Sequence, residues 1–342
     1  MSPRSVRKSI KGDIYTGVEA RWTRYCVFLQ TPCSKCFMNC FYYESSYALY
    51  SNIFMSSLDC SGFAPMKTLG RVRGKYAHKS VGCAIFTRKS KFEVVASKRV
   101  YLKDFFPVNE CFSHQFCVDM LGKWNAMVMT LLKDIATNKT LIVVNTHLFW
   151  NPARTDIKSA QTYSLLQALT AFIKDIYHNN EVGITCLDKK PAIVLCGDLN
   201  SFPECSSEDG MLGKPSGVFK LLETGELTAD HPEHPDAWHN SMGVSYPNPR
   251  LGSLKSRHKV RNAYQIPEFV NRRPMFTTKT DDFQGWIDHV FINDRINVEQ
   301  VLSPPIYMGD LDASRKARKF KPIPNSNFPS DHVPLGVVVS IK

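Results

Sequence analysis

Short unbroken apolar runs punctuate this chain, and several end abruptly in polar residues able to do chemistry. Ala192-Ile193-Val194-Leu195-Cys196 runs into Gly197-Asp198-Leu199-Asn200, and Leu141-Ile142-Val143-Val144 ends in Asn145-Thr146-His147. Trp286-Ile287-Asp288-His289-Val290-Phe291-Ile292 carries an acid in mid-run, and Ser330-Asp331-His332 leads into Val333-Pro334-Leu335-Gly336-Val337-Val338-Val339. Runs this short, rich in Val and Ile, predict buried strands. Two hairpins are predicted, 81–86 with 92–102 across a basic turn, and 124–132 with 140–148 through Thr137-Asn138-Lys139. Between 156 and 178 the period changes. Ile157, Ala160, Leu165, Leu169, Phe172, Ile173 and Ile176 recur at near-helical spacing and predict an amphipathic helix. A short helix is predicted to start at Ser216, an N-cap residue type, and to stop near Gly225.

Residues 226–275 follow neither period and are rich in His, Pro and Asn, so they predict a long irregular insertion. The charged stretch 315–321 predicts an exposed loop. Strands recur on both sides of these segments without a Gly/Ser linker. The expected organisation is a basic tail over 1–20 and a single α/β domain over 21–342, with sheets packed face to face and helices outside. A chain of 342 residues that is 43% hydrophobic can bury a large core. No apolar run approaches the roughly 18–20 residues of a membrane span, so a membrane partner is not expected.

The net charge of +12 favours a polyanionic partner, nucleic acid before membrane, since no strongly amphipathic basic helix stands out. No secretory signal is visible, which points to the cytoplasm. Arg4, Arg7, Lys8 and Lys11 precede any acid and resemble a mitochondrial presequence as much as a frayed tail, so mitochondrion and nucleus stay open as alternatives. Of eleven cysteines, Cys26, Cys33, Cys36 and Cys40 lie close together. Cys33 and Cys36 have zinc-ligand spacing, but no second such pair follows, and apolar neighbours favour buried thiols.

The polar strand ends are the candidate chemistry. Asp198 and Asn200 alternate across Leu199, so in an extended chain both side chains emerge on one side. A carboxylate and an amide there could bind a metal and hold a phosphate oxygen, although Gly-Asp-x-Asn also makes a plain turn. Asp288 sits inside an apolar run, where an unpaired charge is expensive. Orienting His332 would give it a partner, while Asp331 could face a metal. His147 reads equally as a site group and as a hydrogen-bonded core imidazole. His231, His234 and His239 sit in a Pro-rich aperiodic stretch and read as solvated loop.

In this order the motifs resemble the endonuclease/exonuclease/phosphatase superfamily, whose fold is that of DNase I, and most of all its carbon-catabolite-repressor type of poly(A) deadenylase. The stretches that carry the likeness are 80–86 (SVGCAIF), 144–152 (VNTHLFWNP), 156–161 (DIKSAQ), 196–203 (CGDLNSFP), 276–288 (FTTKTDDFQGWID) and 323–332 (IPNSNFPSDH). The resemblance implies a two-layer β-sandwich flanked by helices. It also implies a site that uses Mg²⁺, with Mn²⁺ as a substitute, to cut a phosphodiester by in-line attack of water. Carried over, Asp198 would help activate water and also face the metal, Asn200 would hold the phosphate, and His332, oriented by Asp288, would stabilise it. His147 matches a phosphate-facing histidine and Asn125 a site asparagine. Phe283 matches an adenine-stacking aromatic, with Asn151 and Pro152 close to the adenine.

The first eighty residues depart from the pattern. The early metal-site asparagine and the Leu-Gln-Glu strand end are absent, although Glu44 remains a plausible metal ligand alongside Asp331. Two readings follow: an enzyme sequence lacking its first strand, or a divergent protein that binds RNA or partners with weakened catalysis. The implied activity is shortening of mRNA poly(A) tails with release of 5'-AMP, within a deadenylation complex that this chain would enter without a leucine-rich repeat. The alternatives are a 2',5'-oligoadenylate or nucleotide phosphodiesterase or phosphatase, and a catalytically impaired RNA-binding scaffold.

Overall fold

The apolar runs become strands because both of their faces are covered. Alternate residues of a strand point to opposite sides. Ile142 and Val144 accordingly enter one apolar cluster with Leu165, Leu169 and Phe219, while Leu141 and Val143 enter another with Ile85, Val337 and Val339. The run Ala192 to Cys196 divides in the same way: Ile193 and Leu195 to the first cluster, Val194 and Cys196 to the second. Burial on both faces explains why these strands read as continuous apolar segments instead of alternating ones.

The computed structural model describes residues 27–30, 39–42, 60–62, 83–107, 114–178, 190–205, 213–237, 252–326, 328 and 330–342. In chain order the first elements are β1 (Val27–Gln30), β2 (Asn39–Tyr42), β3 (Cys60–Gly62), β4 (Cys83–Arg88), β5 (Phe92–Tyr101) and α1 (His114–Leu121). Then come β6 (Ala126–Asp134), β7 (Thr140–His147), α2 (Thr155–His178), β8 (Ala192–Asp198), α3 (Gly217–Thr224), β9 (Glu226–Leu227) and β10 (Leu254–Lys255). The last are β11 (Arg261–Asn262), β12 (Thr278–Lys279), β13 (Gln284–Gly285), β14 (Asp288–Ile292), β15 (Ile296–Val301), α4 (Ala313–Lys319) and β16 (Leu335–Ile341).

Among the described residues, six strands form one mixed sheet in the order β11-β14-β8-β7-β6-β5. Within it β7 and β8 run parallel, and α2 supplies the long crossover that a parallel pair requires. Helices α2 and α3 cover one face of this sheet. The other face packs on a second layer built from β1-β16-β15 and β2-β4-β3. The result is the expected α/β architecture, two β layers with helices outside. Tyr264 ties the layers together: its buried hydroxyl lies 2.9 Å from the carbonyls of Leu302 and Gly336 and accepts the Gly336 amide at 3.0 Å.

Several local expectations hold. The hairpin 124–148 is β6 with β7. The long helix is α2. Ser216 caps α3 by accepting the Phe219 amide, and Gly225 closes it in the left-handed conformation. Others need correction. The segments predicted as a hairpin over 81–102 are strands of different sheets: β4 pairs with β2 and β3, and β5 pairs with β6. The basic turn is a corner between layers. The stretch 315–321 is mostly helix α4, whose small buried residues Ala313 and Ala317 lie against Phe276 and Ile306. The insertion 226–275 is only partly irregular, because β11 inside it extends the six-stranded sheet at its β14 edge. His234 is fully buried, not solvated. Residues 1–20, Cys26, Cys33, Cys36, Glu44 and His239 lie outside the described residues, as does the side chain of Cys40. No described helix is long and apolar enough to cross a membrane.

Candidate active site

Strand register gathers the predicted chemistry at one end of the six-stranded sheet. His147 ends β7 and Asp198 ends the parallel β8 directly beside it. Strand β14 runs the other way, so its first residue, Asp288, lies opposite Asp198. Three neighbouring strands thus contribute an imidazole and two carboxylates in one row. His147 Nε2 is 3.3 Å from Asp198 Oδ2. His332 arrives from the segment before β16, held by a bridge to Thr278, and its Nδ1 lies 2.7 Å from Asp288 Oδ2. The partner that a buried Asp288 required is therefore His332.

Local backbone chemistry fixes these groups. Gly197, at φ +149°, lets β8 approach β7: a Cβ there would sit 1.9 Å from the Thr146 carbonyl oxygen. Asn200 adopts a positive φ of 46°, so it does not continue the strand and does not alternate with Asp198 in an extended chain. The chain curls, and the Asn200 amide donates to Asp198 Oδ1 at 2.8 Å while its side-chain Nδ2 donates to the Leu148 carbonyl at 3.0 Å. Thr277 Oγ1 accepts the amides of Ile287 and Asp288 at 3.0 and 3.1 Å. The Asp288 carbonyl accepts Trp286 Nε1 at 2.9 Å.

More polar side chains stand behind this row. Asn125 donates to the His147 carbonyl at 2.9 Å and accepts Gln161 Nε2 at 2.9 Å, and Gln161 in turn accepts the Phe149 amide at 2.8 Å. Asn125 therefore positions the strand end that carries His147. Lys158, buried in the first turns of α2, donates to the Asn200 carbonyl at 2.7 Å. Arg154 grips Asp156 with Nε and Nη2, each at 3.0 Å, and reaches Asp119 of α1 at 2.8 Å. Apart from Asn125, sequence reasoning gave these supports no role, although Asp156, Lys158 and Gln161 fall in the matching stretch 156–161. The available signal was the cluster Asp156, Lys158, Ser159 and Gln161, polar residues on the inward face of an otherwise apolar helix.

Burial raises the pKa of Asp198 above the usual carboxylate range; nearby His147 opposes the shift and Asp288 adds to it. For His332, burial acts to lower the pKa. The Asp288 carboxylate, by charge and by hydrogen bond, outweighs burial, and the net shift is upward. Phe283 lies in the turn between β12 and β13, 40% exposed, its ring 6.2 Å from that of Phe202. Asn151 caps the turn before α2 by accepting the Ala153 amide at 2.9 Å. Next to it, Trp150 is 67% exposed. Thr278 Oγ1 donates to the Asp331 carbonyl at 2.7 Å, which sets that residue beside His332.

Among the described residues no three His, Cys, Asp or Glu side chains are grouped so as to hold a metal ion. The chemistry of the row nevertheless fits a hard divalent cation. Asp198 and Asp288 stand in directly opposed positions, where Cβ atoms lie about 5 Å apart. Asp288 Oδ1 is buried and takes no hydrogen bond from the described residues. Oxygen donors with surplus negative charge are what Mg²⁺ and Mn²⁺ prefer.

No protein-family model matches the sequence. Curated relatives do. The CCR4-Not complex 3'-5'-exoribonuclease subunit Ccr4 of Kluyveromyces lactis is 28% identical over 269 residues, 77% of this chain and 30% of that protein. The CCR4-NOT transcription complex subunit 6-like-B of Xenopus laevis is 27% identical over 311 residues, 84% of this chain and 52% of that protein. The chain thus spans between about a third and half of the length of these relatives. Among solved structures, ANGEL2, a 2',3'-cyclic phosphatase, superposes with a TM-score of 0.58 at 21% identity, covering 87% of this chain and 80% of that one. The human nocturnin catalytic domain superposes with a TM-score of 0.53 at 16% identity, over 89% and 81%. The chain has the fold of the endonuclease/exonuclease/phosphatase superfamily, and by sequence it is distantly related to the Ccr4 deadenylases.

Proposed function

We propose that this protein is a Mg²⁺-dependent 3'-5' exoribonuclease that hydrolyses the phosphodiester bonds of poly(A) tails and releases 5'-AMP. One observation carries the reading: two imidazole–carboxylate pairs, His147 with Asp198 and His332 with Asp288, meet on adjacent strands. Bound Mg²⁺, for which Asp198 and Asp288 offer oxygen donors and Asp331 and Glu44 are the ligands the resemblance implies, would supply charge neutralisation at the phosphate and a more acidic water. The side chains divide the remaining work. Asp198, with its pKa raised by burial, is a better proton acceptor from an attacking water than an exposed carboxylate. Asp288 engages His332 Nδ1 and raises its pKa, which favours the charged form of the ring that would stabilise the phosphate. His147 adds a second imidazole beside Asp198, and Asn200 and Asn125 hold the strand ends in place. Phe283 offers an exposed ring on which an adenine can stack.

The Ccr4 relatives, 3'-5'-exoribonuclease subunits of the CCR4-Not complex, favour RNA as substrate and assembly into such a complex; cytoplasmic action is proposed with them. The purified protein with Mg²⁺ is offered four substrates: A-tailed RNA, the same RNA with a mixed tail, 2',5'-linked adenylate and adenosine 2',3'-cyclic phosphate. Stepwise loss of the A tail to 5'-AMP is expected, falling about 100-fold or more in Asp198→Ala. Unchanged turnover in that variant would overturn the mechanism. Cleavage of the 2',5' or cyclic substrate alone would overturn the substrate, and equal rates on both tails would overturn the poly(A) preference.

A further inference from the structure

A cavity of about 450 Å³ opens at the other end of the sheet from the active site. Its floor is the start of β8 at Ile193, whereas Asp198 ends the same strand. At about 3.3 Å per residue, the five-residue interval puts the two sites roughly 17 Å apart. Four of its lining residues, Lys174, Lys190, Arg257 and Lys259, are cations, and no Asp or Glu is among the described residues that line it. Lys174 extends from α2, Lys190 precedes β8, and Arg257 and Lys259 follow β10, so separate elements converge on one positive concavity. Nearby acids offset part of this charge: Asp294 pairs with Lys190, and Asp175 pairs with Lys98 outside the pocket. Tyr177, 38% exposed, lines the same cavity. His258, also in the lining, donates to or accepts from Thr170 Oγ1 at 3.0 Å. Its pKa is pushed down to about 4, by burial first and then by the charges of Arg257 and Lys190.

We propose that this cavity is a second binding site for single-stranded RNA, which takes backbone phosphates on Lys174, Lys190, Arg257 and Lys259 and stacks a base on Tyr177. A positive groove combined with an exposed aromatic ring is the pattern by which proteins hold single strands without reading sequence. The site would grip the body of an RNA whose 3' end lies among Asp198, Asp288 and His332, so long substrates gain affinity that short ones do not. The proposal rests on RNA being the substrate, and its test is independent of turnover.

The triple variant Lys174→Gln, Arg257→Gln, Lys259→Gln changes exposed side chains only, and an unchanged melting temperature confirms that it folds. Binding of fluorescein-labelled twenty-residue oligoadenylate is measured in EDTA across a salt series. The dissociation constant is expected to rise about tenfold or more at low salt. The slope of log affinity against log salt should flatten by about 2, at roughly 0.7 for each phosphate no longer neutralised. With Mg²⁺ present, KM should rise for the long RNA and stay unchanged for a diadenylate too short to span both sites. An unchanged affinity and salt slope would overturn the proposal. So would a variant that loses binding of free AMP but not of the oligoadenylate, which would make the cavity a mononucleotide pocket. Tight, variant-sensitive RNA binding without any metal-stimulated hydrolysis would leave the cavity standing and remove only the nuclease reading.

Discussion

Asp198 and Asp288 stand opposite each other across two antiparallel strands, a placement that would be repulsive if both carboxylates were left uncompensated. Each has its own imidazole, and the two pairs differ in kind. His332 and Asp288 are in close hydrogen-bond contact at 2.7 Å, whereas His147 and Asp198 stand 3.3 Å apart. The tight pair orients the His332 ring and favours its charged form; the looser one sets a second imidazole beside Asp198, the proposed proton acceptor. Asp288→Asn separates these roles, because the amide can still accept from Nδ1 but no longer stabilises the charged imidazole. The expected result is a kcat lower by about 100-fold or more, with KM nearly unchanged. Measuring both constants on A-tailed RNA checks it, and an unaltered kcat would reduce Asp288 to a packing role.

The strand ends are held as tightly as the side chains they carry, and Gly197 is the point where this shows. Its φ of +149° and the 1.9 Å that would separate a Cβ from the Thr146 carbonyl oxygen leave no room for any side chain between β7 and β8. Gly197→Ala would have to part the strands that align His147 with Asp198. The expected loss is more than about 3 kcal/mol, in the range reserved for strain at a special backbone position. A denaturant melt measures it, and a variant within about 1 kcal/mol of the parent would show that the sheet can yield there. Elements whose cause is local were legible in the sequence: the apolar stripe of α2, the Ser216 cap and the Gly225 stop, the β6–β7 hairpin. The corner between β4 and β5 was not, because a short basic turn looks the same whether its strands pair with each other or with distant partners. Helix α4 was hidden for a different reason: its buried face is only Ala313 and Ala317, and its Lys and Arg residues dominate the pattern although they are good helix formers. His147 and Asp198 were legible as strand ends, whereas Asp288, read in mid-run, opens β14; Lys158 and Gln161 showed only as part of a matching stretch, since a search for apolar periodicity gives polar residues on an inward face no role.

For the molecule as a whole, the telling groups are histidines that have nothing to do with the chemistry. His289 of β14 is wholly buried against Phe219 of α3, its Nε2 2.9 Å from the Ser201 carbonyl, and burial pushes its pKa down to about 3. His234 and His258 are pushed down to about 4, again chiefly by burial. An unfolded histidine takes its proton near pH 6.5. Between that value and about 4 the unfolded chain therefore binds protons that the folded one refuses, and stability must fall as the pH falls. Above pH 6.5 all three are neutral in both states and the penalty vanishes. Each such group contributes a slope of about 1.4 kcal/mol per pH unit inside its window, so three acting together should make the protein acid-labile well before its carboxylates titrate. Followed downward from pH 8, the melting temperature should hold or rise slightly to about 6.5, where His332 with its raised pKa gains a proton in the folded chain, and then drop steeply. His258→Gln, at the rim of the basic cavity, should soften the drop without touching the plateau. A melting curve that is flat through pH 5 would mean that these imidazoles are protonated in the folded protein, and that the packing around all three is looser than the structure has it.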